Sequence, residues 1–267
     1  MSARIARRTG WFEVVWPPIV FGVGFLVLWE TVVRVFDLKP YFLPAPTEIW
    51  NEFVTNIALI ADAMAVSGTN ALVGLVVGTF LGIAMSFVLA RYRLLNDLVT
   101  PLAIALNAIP IFVLVAVFNN MFSITSEVPR RLMASLVVYF IVLVNVARGL
   151  REVAPTHLEL MRSYAAGEAA ILRKVRIPNA VPYLFTALRI AAPAAVITAF
   201  VAEYFGGSQN GLGSRIASNI SRSANATAWA YVLGACLLGL AFYLAAVLLE
   251  RWATPGGRRA RARAAGA

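Results

Sequence analysis

Few residues in this sequence could carry chemistry, and their spacing limits what that chemistry is. One cysteine, Cys236, and one histidine, His157, exclude an internal disulfide and a Cys/His zinc cluster. The two lysines, Lys39 and Lys174, are followed by Pro40 and Val175, so neither completes the G-x-x-x-x-G-K-[ST] loop that cradles nucleotide phosphates. The aspartates Asp37, Asp62 and Asp97 are scattered and none sits in a Gly-Asp pair, which argues against an intramembrane aspartyl protease. No G-x-S-x-G nucleophile elbow occurs. What remains is a set of carboxylates and amides embedded in apolar sequence: Glu30, Asn70, Asn107, Asn145 and Glu203. Polar groups at membrane depth are costly and usually face a partner or a cavity. Asn107 precedes Pro110, whose missing N–H can kink a helix, so it reads as a path-lining amide or as a repaired helix defect. Glu203 reads as a gate or pathway residue, or as a carboxylate bonded to a neighbouring helix or to the Gly206-Gly207 turn. Asn145 is a further pathway candidate.

The elements that position these groups follow from composition. The chain has 267 residues, 60% of them hydrophobic and 13% charged. A soluble domain carries roughly 25% charged residues, so this is an integral membrane protein. A bilayer core needs about 20 mostly apolar residues per helix. Six windows qualify: 16–36, 68–90, 98–118, 132–148, 183–205 and 228–250. With the N-terminus inside, sixteen Lys and Arg residues fall on the cytoplasmic side and five on the other, which places both termini in the cytoplasm. The net charge of +10 is explained by this bias, so no nucleic-acid partner is expected. The lipid bilayer is a partner, and the basic C-terminal run reads as a juxtamembrane anchor. Arg34 and Arg189 lie near helix ends and can snorkel. The N-terminal stretch reads as a retained first helix rather than a signal peptide. Leu43-Pro44-Ala45-Pro46 is expected to stop that helix and Thr47 to cap the next. There Ile49, Trp50, Phe53, Ile57 and Ile60 form a stripe that suits an interfacial helix or packing against the bundle. Gly74, Gly78 and Gly82 recur every four residues, a stripe for close helix packing. No internal repeat, linker or second domain is visible, so residues 1–267 read as a single transmembrane domain.

The longest cytoplasmic segment, about 148–182, is too polar to enter lipid and too regular to be a linker. From Thr156 to Ala166 helix formers dominate, with Leu158, Met161 and Ala165 along one face. Gly167 is expected to end that helix by adopting positive φ. A second short helix is expected over Ala169–Val175, closed by Pro178 and Pro182 before the fifth span. Two short helices joined at a glycine make a protruding knob suited to a protein partner, or an amphipathic hairpin on the membrane surface.

Within that segment, Glu159-Leu-Met-Arg-Ser-Tyr-Ala165-Ala-Gly167 followed by Val175-Arg-Ile177-Pro178 resembles the EAA loop of ABC-importer permeases. That pattern is E-A-A, three residues, G, nine residues, I-x-L-P. Leu160 and Met161 replace the two alanines here, and Ala165 stands where the family glycine belongs. Leu43-Pro44-Ala45-Pro46, Ala108-Ile109-Pro110, Val201-Ala202-Glu203-Tyr204-Phe205-Gly206 and Gly211-Leu212-Gly213 are similar to the nitrate/sulfonate/taurine-like branch and occur in its order.

The resemblance implies an all-α integral membrane protein of six transmembrane helices in a type I ABC importer permease arrangement. It implies a non-catalytic subunit whose loop docks on a separate ATP-hydrolysing subunit. Glu159 would match the family glutamate, with Arg162, Ala165, Gly167, Arg173, Lys174 and Pro178 completing the coupling loop. No cofactor is expected on this chain; ATP and Mg belong to the partner. Two ATPase subunits, a second permease copy in a homodimer and an extracytoplasmic substrate-binding protein would complete the assembly in a bacterial-type inner or plasma membrane. The alternative is an ion-coupled secondary transporter, a class marked by repeats and midplane charges that this sequence does not display.

Overall fold

The computed structural model describes residues 11–92, 94–95, 98–99, 101–102, 109–122, 126–206 and 210–253. The labelled elements are α1 (Trp11–Val35), α2 (Pro46–Thr55), α3 (Ile57–Arg91), α4 (Ile111–Met121) and α5 (Val128–Arg151). They continue with α6 (Pro155–Ser163), α7 (Glu168–Ile171), a π turn (Leu172–Arg176), α8 (Ile177–Tyr204), α9 (Leu212–Ser221) and α10 (Asn225–Ala253). Among the described residues five helical stretches are long and apolar enough to cross a membrane: Trp16–Val35, α3, α5, Glu168–Tyr204 and α10. They contain the expected windows almost entirely. The third window, 98–118, includes residues 103–108, which lie outside the described residues, and α4 occupies its far end.

Small side chains set how closely the central helices approach. A Cβ on Gly74 would stand 2.3 Å from the Ala134 Cβ. One on Gly78 would stand 2.4 Å from the Ser135 carbonyl oxygen, and one on Gly82 2.9 Å from the Tyr139 oxygen. The glycine stripe is therefore the contact of α3 with α5, as its spacing predicts. Ser86 adds a hydrogen bond across this seam, its Oγ donating to the carbonyls of Gly82 (2.6 Å) and Leu143 (3.2 Å). A second stripe went unread: Ala187, Ala191, Ala195 and Ala199 along α8 are wholly buried in the same core as Val138, Val142 and Ala71. The α1 helix stands at the edge, most of its side chains facing outward.

Three helices end in one way, and two of those ends differ from expectation. The first helix stops at Val35, well before Pro44, because Asp37 turns left-handed (φ +47°). Leu38 then donates to the Val33 carbonyl and Asp37 to that of Arg34, a Schellman closure. The same closure ends α9 at Ser223 (φ +57°). At the end of α6 the left-handed residue is Ala165 (φ +52°), with Ala166 donating to Met161 and Ala165 to Arg162. Gly167 is in an extended conformation (φ −68°, ψ 161°) and begins α7 instead, so it does not supply the expected turn. Nor do Pro178 and Pro182 close a separate short helix. The helical run is continuous from Glu168 to Tyr204. In the π turn the Ile177 N–H reaches back five residues to Leu172, and this shifted register leads into Pro178, which has no N–H to give.

Thr47 is not the cap of α2; Ala45 is, and its N–H donates to the Glu48 carboxylate at 3.1 Å. Glu30 reaches over from α1 to accept the Thr47 N–H (3.1 Å) and hydroxyl (2.9 Å). The expected stripe is split between two helices, with Ile49, Trp50 and Phe53 on α2 and Ile57 and Ile60 on α3; Ile49, Phe53 and Ile60 are buried in the bundle, while Trp50 and Ile57 are exposed. Arg189 is ion-paired with Glu250 of α10, joining those helices inside their lengths.

Candidate functional site: a clamped knob and a buried carboxylate knot

The segment from α6 to the π turn forms one protrusion between α5 and α8. None of the α6 residues is buried. Glu159 and Arg162 lie exposed on α6, and Arg173 and Lys174 lie exposed on the π turn. Ala165 makes the turn between them, Gly167 opens α7 and Pro178 is the second residue of α8. Two apolar side chains missed by the sequence reading share the exposed surface: Leu160 is 53% and Tyr164 75% accessible. Their i, i+4 spacing on a helix was the available signal. A helix displaying Leu and Tyr beside Glu and Arg has the composition of a docking surface.

At the foot of this knob the ends of the two long helices are tied to each other. The Asn179 amide donates to the carbonyls of Gly149 (2.7 Å) and Glu152 (3.1 Å), the last residues of α5 and just beyond it. Glu152 accepts from Arg148 Nε (2.8 Å) and from the Tyr183 hydroxyl (3.2 Å). The Arg148 hydrogen bond holds the Glu152 carboxyl below the usual carboxylate range, against the opposing effect of desolvation. A Cβ on Gly149 would lie 2.8 Å from the Tyr183 ring, so the helices touch here. The knob joins α5 to α8 in the chain, so it projects from this fastened junction.

At the opposite end of the bundle lies Glu203, 2% exposed. Its Oε2 accepts from the Ser67 hydroxyl of α3 (2.6 Å) and from the Gly213 N–H of α9 (3.2 Å). Ser67 Oγ in turn accepts the Leu212 N–H at 2.9 Å. Those amides belong to the first turn of α9, whose N–H groups have no intrahelical partner. The carboxylate therefore fastens three elements: α3, α8 and α9. The glycines on either side of Leu212 permit it, since a Cβ on Gly211 would fall 2.2 Å from Glu203 Oε2 and one on Gly213 2.1 Å from the Phe200 carbonyl oxygen. Asn70 and Arg130 adjoin the same carboxylate. Asn70 donates to Glu127 (2.6 Å) and accepts from Arg131 Nε (3.0 Å), while the fully buried Arg130 pairs with Glu127. Ser67, Glu127 and Arg130 were not singled out in the sequence, because a lone serine or an arginine at a helix start carries no signal of which helix it will meet.

Asn145 is half-buried in α5 and donates to the Ile141 carbonyl of its own helix at 2.8 Å. Asn107 lies outside the described residues. Among the described residues no group of three or more His, Cys, Asp or Glu side chains converges as a metal site would.

Known proteins agree with this architecture. Residues 74–255 match the family model described as binding-protein-dependent transport system inner membrane component. The formylaminopyrimidine transport permease ThiX of Halalkalibacterium halodurans is 30% identical over 73% of this chain and 78% of its own length. The riboflavin transport permease RibX of Chloroflexus aurantiacus is 28% identical over 88% and 89%, and the taurine transport permease TauC of Escherichia coli 22% over 80% and 81%. The match takes in α5, the knob, α8, α9, α10 and α3 from Gly74 onward, so that Ser67 and Asn70 lie before it. The chain thus belongs to the binding-protein-dependent transport system inner membrane component family, as an ABC transporter permease of the nitrate/sulfonate/taurine-like branch.

Proposed function

We propose that this permease is the membrane subunit of an ATP-driven importer and that its knob couples it to separate ATPase subunits. The observation that carries this reading is an α6 with no buried residue, projecting from a junction where α5 and α8 are hydrogen-bonded to each other. A surface that is exposed yet mechanically continuous with two long helices is what a force-transmitting contact requires. Glu159, Arg162, Arg173 and Lys174 supply its charges, Leu160 and Tyr164 its apolar area, and Ala165, Gly167 and Pro178 its shape. ATP with Mg would bind the partner, consistent with the missing phosphate loop here. Two ATPase subunits and a homodimer of permeases would sit in a bacterial-type cell membrane, with both termini cytoplasmic by the Lys and Arg bias.

An external substrate-binding protein would deliver the solute to the face opposite the knob. Glu203, fastening α9 to α3 and α8, would hold the outer mouth, and Asn145 and Asn107 remain the pathway candidates. The names of the relatives point to a small polar nutrient, either a heterocycle of the pyrimidine or flavin kind or a small sulfonate. ATP at the partner and loaded binding protein outside would bias the two access states only through their different affinities for each.

The test is Glu159→Lys. The exposed position predicts normal membrane insertion and unfolding temperature, with loss of ATPase co-purification and of uptake. Unchanged association and transport would remove Glu159 and the knob from the coupling role.

A further inference from the structure

A crevice of about 560 Å³ opens between α1 and α10 beneath α2, lined by Leu26, Trp29, Trp50, Trp229, Leu233 and Cys236. We propose that it is a binding site for one phospholipid, its acyl chain in the crevice and its phosphate at the rim beside Arg34. This rests on the chain being a multi-pass membrane protein, and not on the coupling role of the knob.

Position argues for this occupant. The crevice lies at the end of the bundle opposite the knob, where α1 finishes, α10 starts and α2 lies between them. Trp29, Trp50 and Trp229 therefore stand at one membrane level, the boundary where indole rings concentrate. Trp29 meets Trp229 edge-on, with ring centroids 5.5 Å apart, and the two rings prop α1 away from α10. The Val232, Leu233 and Cys236 positions then continue the wall along α10 toward the membrane interior.

Polarity runs the other way along the same space. At the rim Thr47 and Asn51 of α2 join the lining. Arg34 stands within 3.4 Å of the Thr47 hydroxyl, and its side chain is 68% exposed. Its ion pair with Glu30 at 2.6 Å fixes the guanidinium there while leaving other N–H donors of its five facing outward. An apolar trough ending in a cationic, hydrogen-bond-donating rim at the interface matches a glycerophospholipid end to end: hydrocarbon below, ester and phosphate oxygens above. The roof is held in place independently of any occupant, because Thr227 of α10 donates to Glu52 of α2 at 2.8 Å and Asn225 donates to the Tyr41 carbonyl.

Cys236 is the one cysteine of the chain and is exposed, so it reports on this space without engineering. The full-length protein, labelled there with a small fluorophore, is reconstituted into vesicles of phosphatidylethanolamine and phosphatidylglycerol carrying brominated acyl chains, then extracted into detergent. Expected are quenching that survives extraction and one phospholipid retained per chain in native mass spectrometry. Both are lost in Leu233→Trp, which fills the trough, and Arg34→Gln loses phospholipid retention at higher detergent concentration while keeping the unfolding temperature. The wild-type measurement alone can fail. Quenching that vanishes on extraction, or lipid retention equal in wild type and Leu233→Trp, overturns the site. So does an oxidative Cys236–Cys236 link between two copies, which would mean that a second chain covers the crevice.

Discussion

The left-handed alanine at the tip of the knob gives a sharp test of how the proposed coupling surface is built. An L-residue in that conformation costs about 1–2 kcal/mol relative to right-handed backbone, and glycine avoids the cost but loses about 0.5–1 kcal/mol of chain entropy on folding. Ala165 stands at φ +52° with both Schellman hydrogen bonds made. Ala165→Gly should therefore stabilise the knob by a net ~0.5–1 kcal/mol, roughly two- to fivefold in local opening. Ala165→Val should act oppositely, since a β-branched residue at positive φ is a true outlier. Gly167 is the control. Its backbone is extended, and an added Cβ meets nothing within 4 Å, so Gly167→Ala should be neutral or slightly stabilising. Amide hydrogen exchange at Ala165 and Ala166, whose N–H groups close the motif, reads the effect directly in reconstituted protein. ATPase co-purification reads its consequence. The reasoning fails if Gly167→Ala lowers protection while Ala165→Gly leaves it unchanged, because the turn would then sit two residues later.

Three further outcomes follow from the geometry. Glu203→Ala should leave the Ser67 hydroxyl and Gly213 N–H unpaired and cost about 2–4 kcal/mol, whereas Glu203→Gln keeps an acceptor for both and should retain most of the stability. Thermal unfolding separates the two; wild-type stability in the alanine variant with uptake lost would instead make Glu203 a pathway residue. Gly78→Ala must displace Ser135 or Val138 and should cost about 1–3 kcal/mol, while Gly24→Ala, with open space around its Cβ, should not lower the unfolding temperature. Asn179→Ala removes both hydrogen bonds between α8 and the end of α5 and should cost about 1–2 kcal/mol. It should also lower uptake per ATP hydrolysed while leaving ATPase association intact, which co-purification and coupled transport assays measure together.

Much of the bundle was legible because membrane helices must be apolar over a fixed length. The glycine stripe on α3 was legible because only small residues let helices touch. The alanine stripe on α8 obeys the same rule yet was missed, since alanine is common throughout an apolar span and its periodicity does not stand out. Boundaries were the weaker part. Three helices end on Asp37, Ala165 and Ser223 in left-handed conformation, where sequence reading looks for glycine or proline. Two of these moved the expected end: to Pro44 for α1, to Gly167 for α6.

The site shows the same division. The exposure of Glu159 and Arg162 could be read from a local pattern, because a short polar helix displays whatever its sequence carries. The Glu203 knot could not be assembled that way. Its partners come from sequence positions 67, 70, 130 and 213, and the preference of Glu203 for one of them over another is decided only when α3, α8 and α9 pack. What the sequence did carry was the set of conditions for burying a charge: a carboxylate late in an apolar helix, then two glycines flanking one leucine. Gly211 and Gly213 lie against that carboxylate and its helix at distances no side chain allows. A buried acid needs backbone donors brought very close, and glycine is the residue that lets backbone approach. An acid in an outer helix end followed within ten residues by G-x-G is then a readable sign of a fastened external turn, even where the hydroxyl and amide that complete it come from elsewhere in the chain.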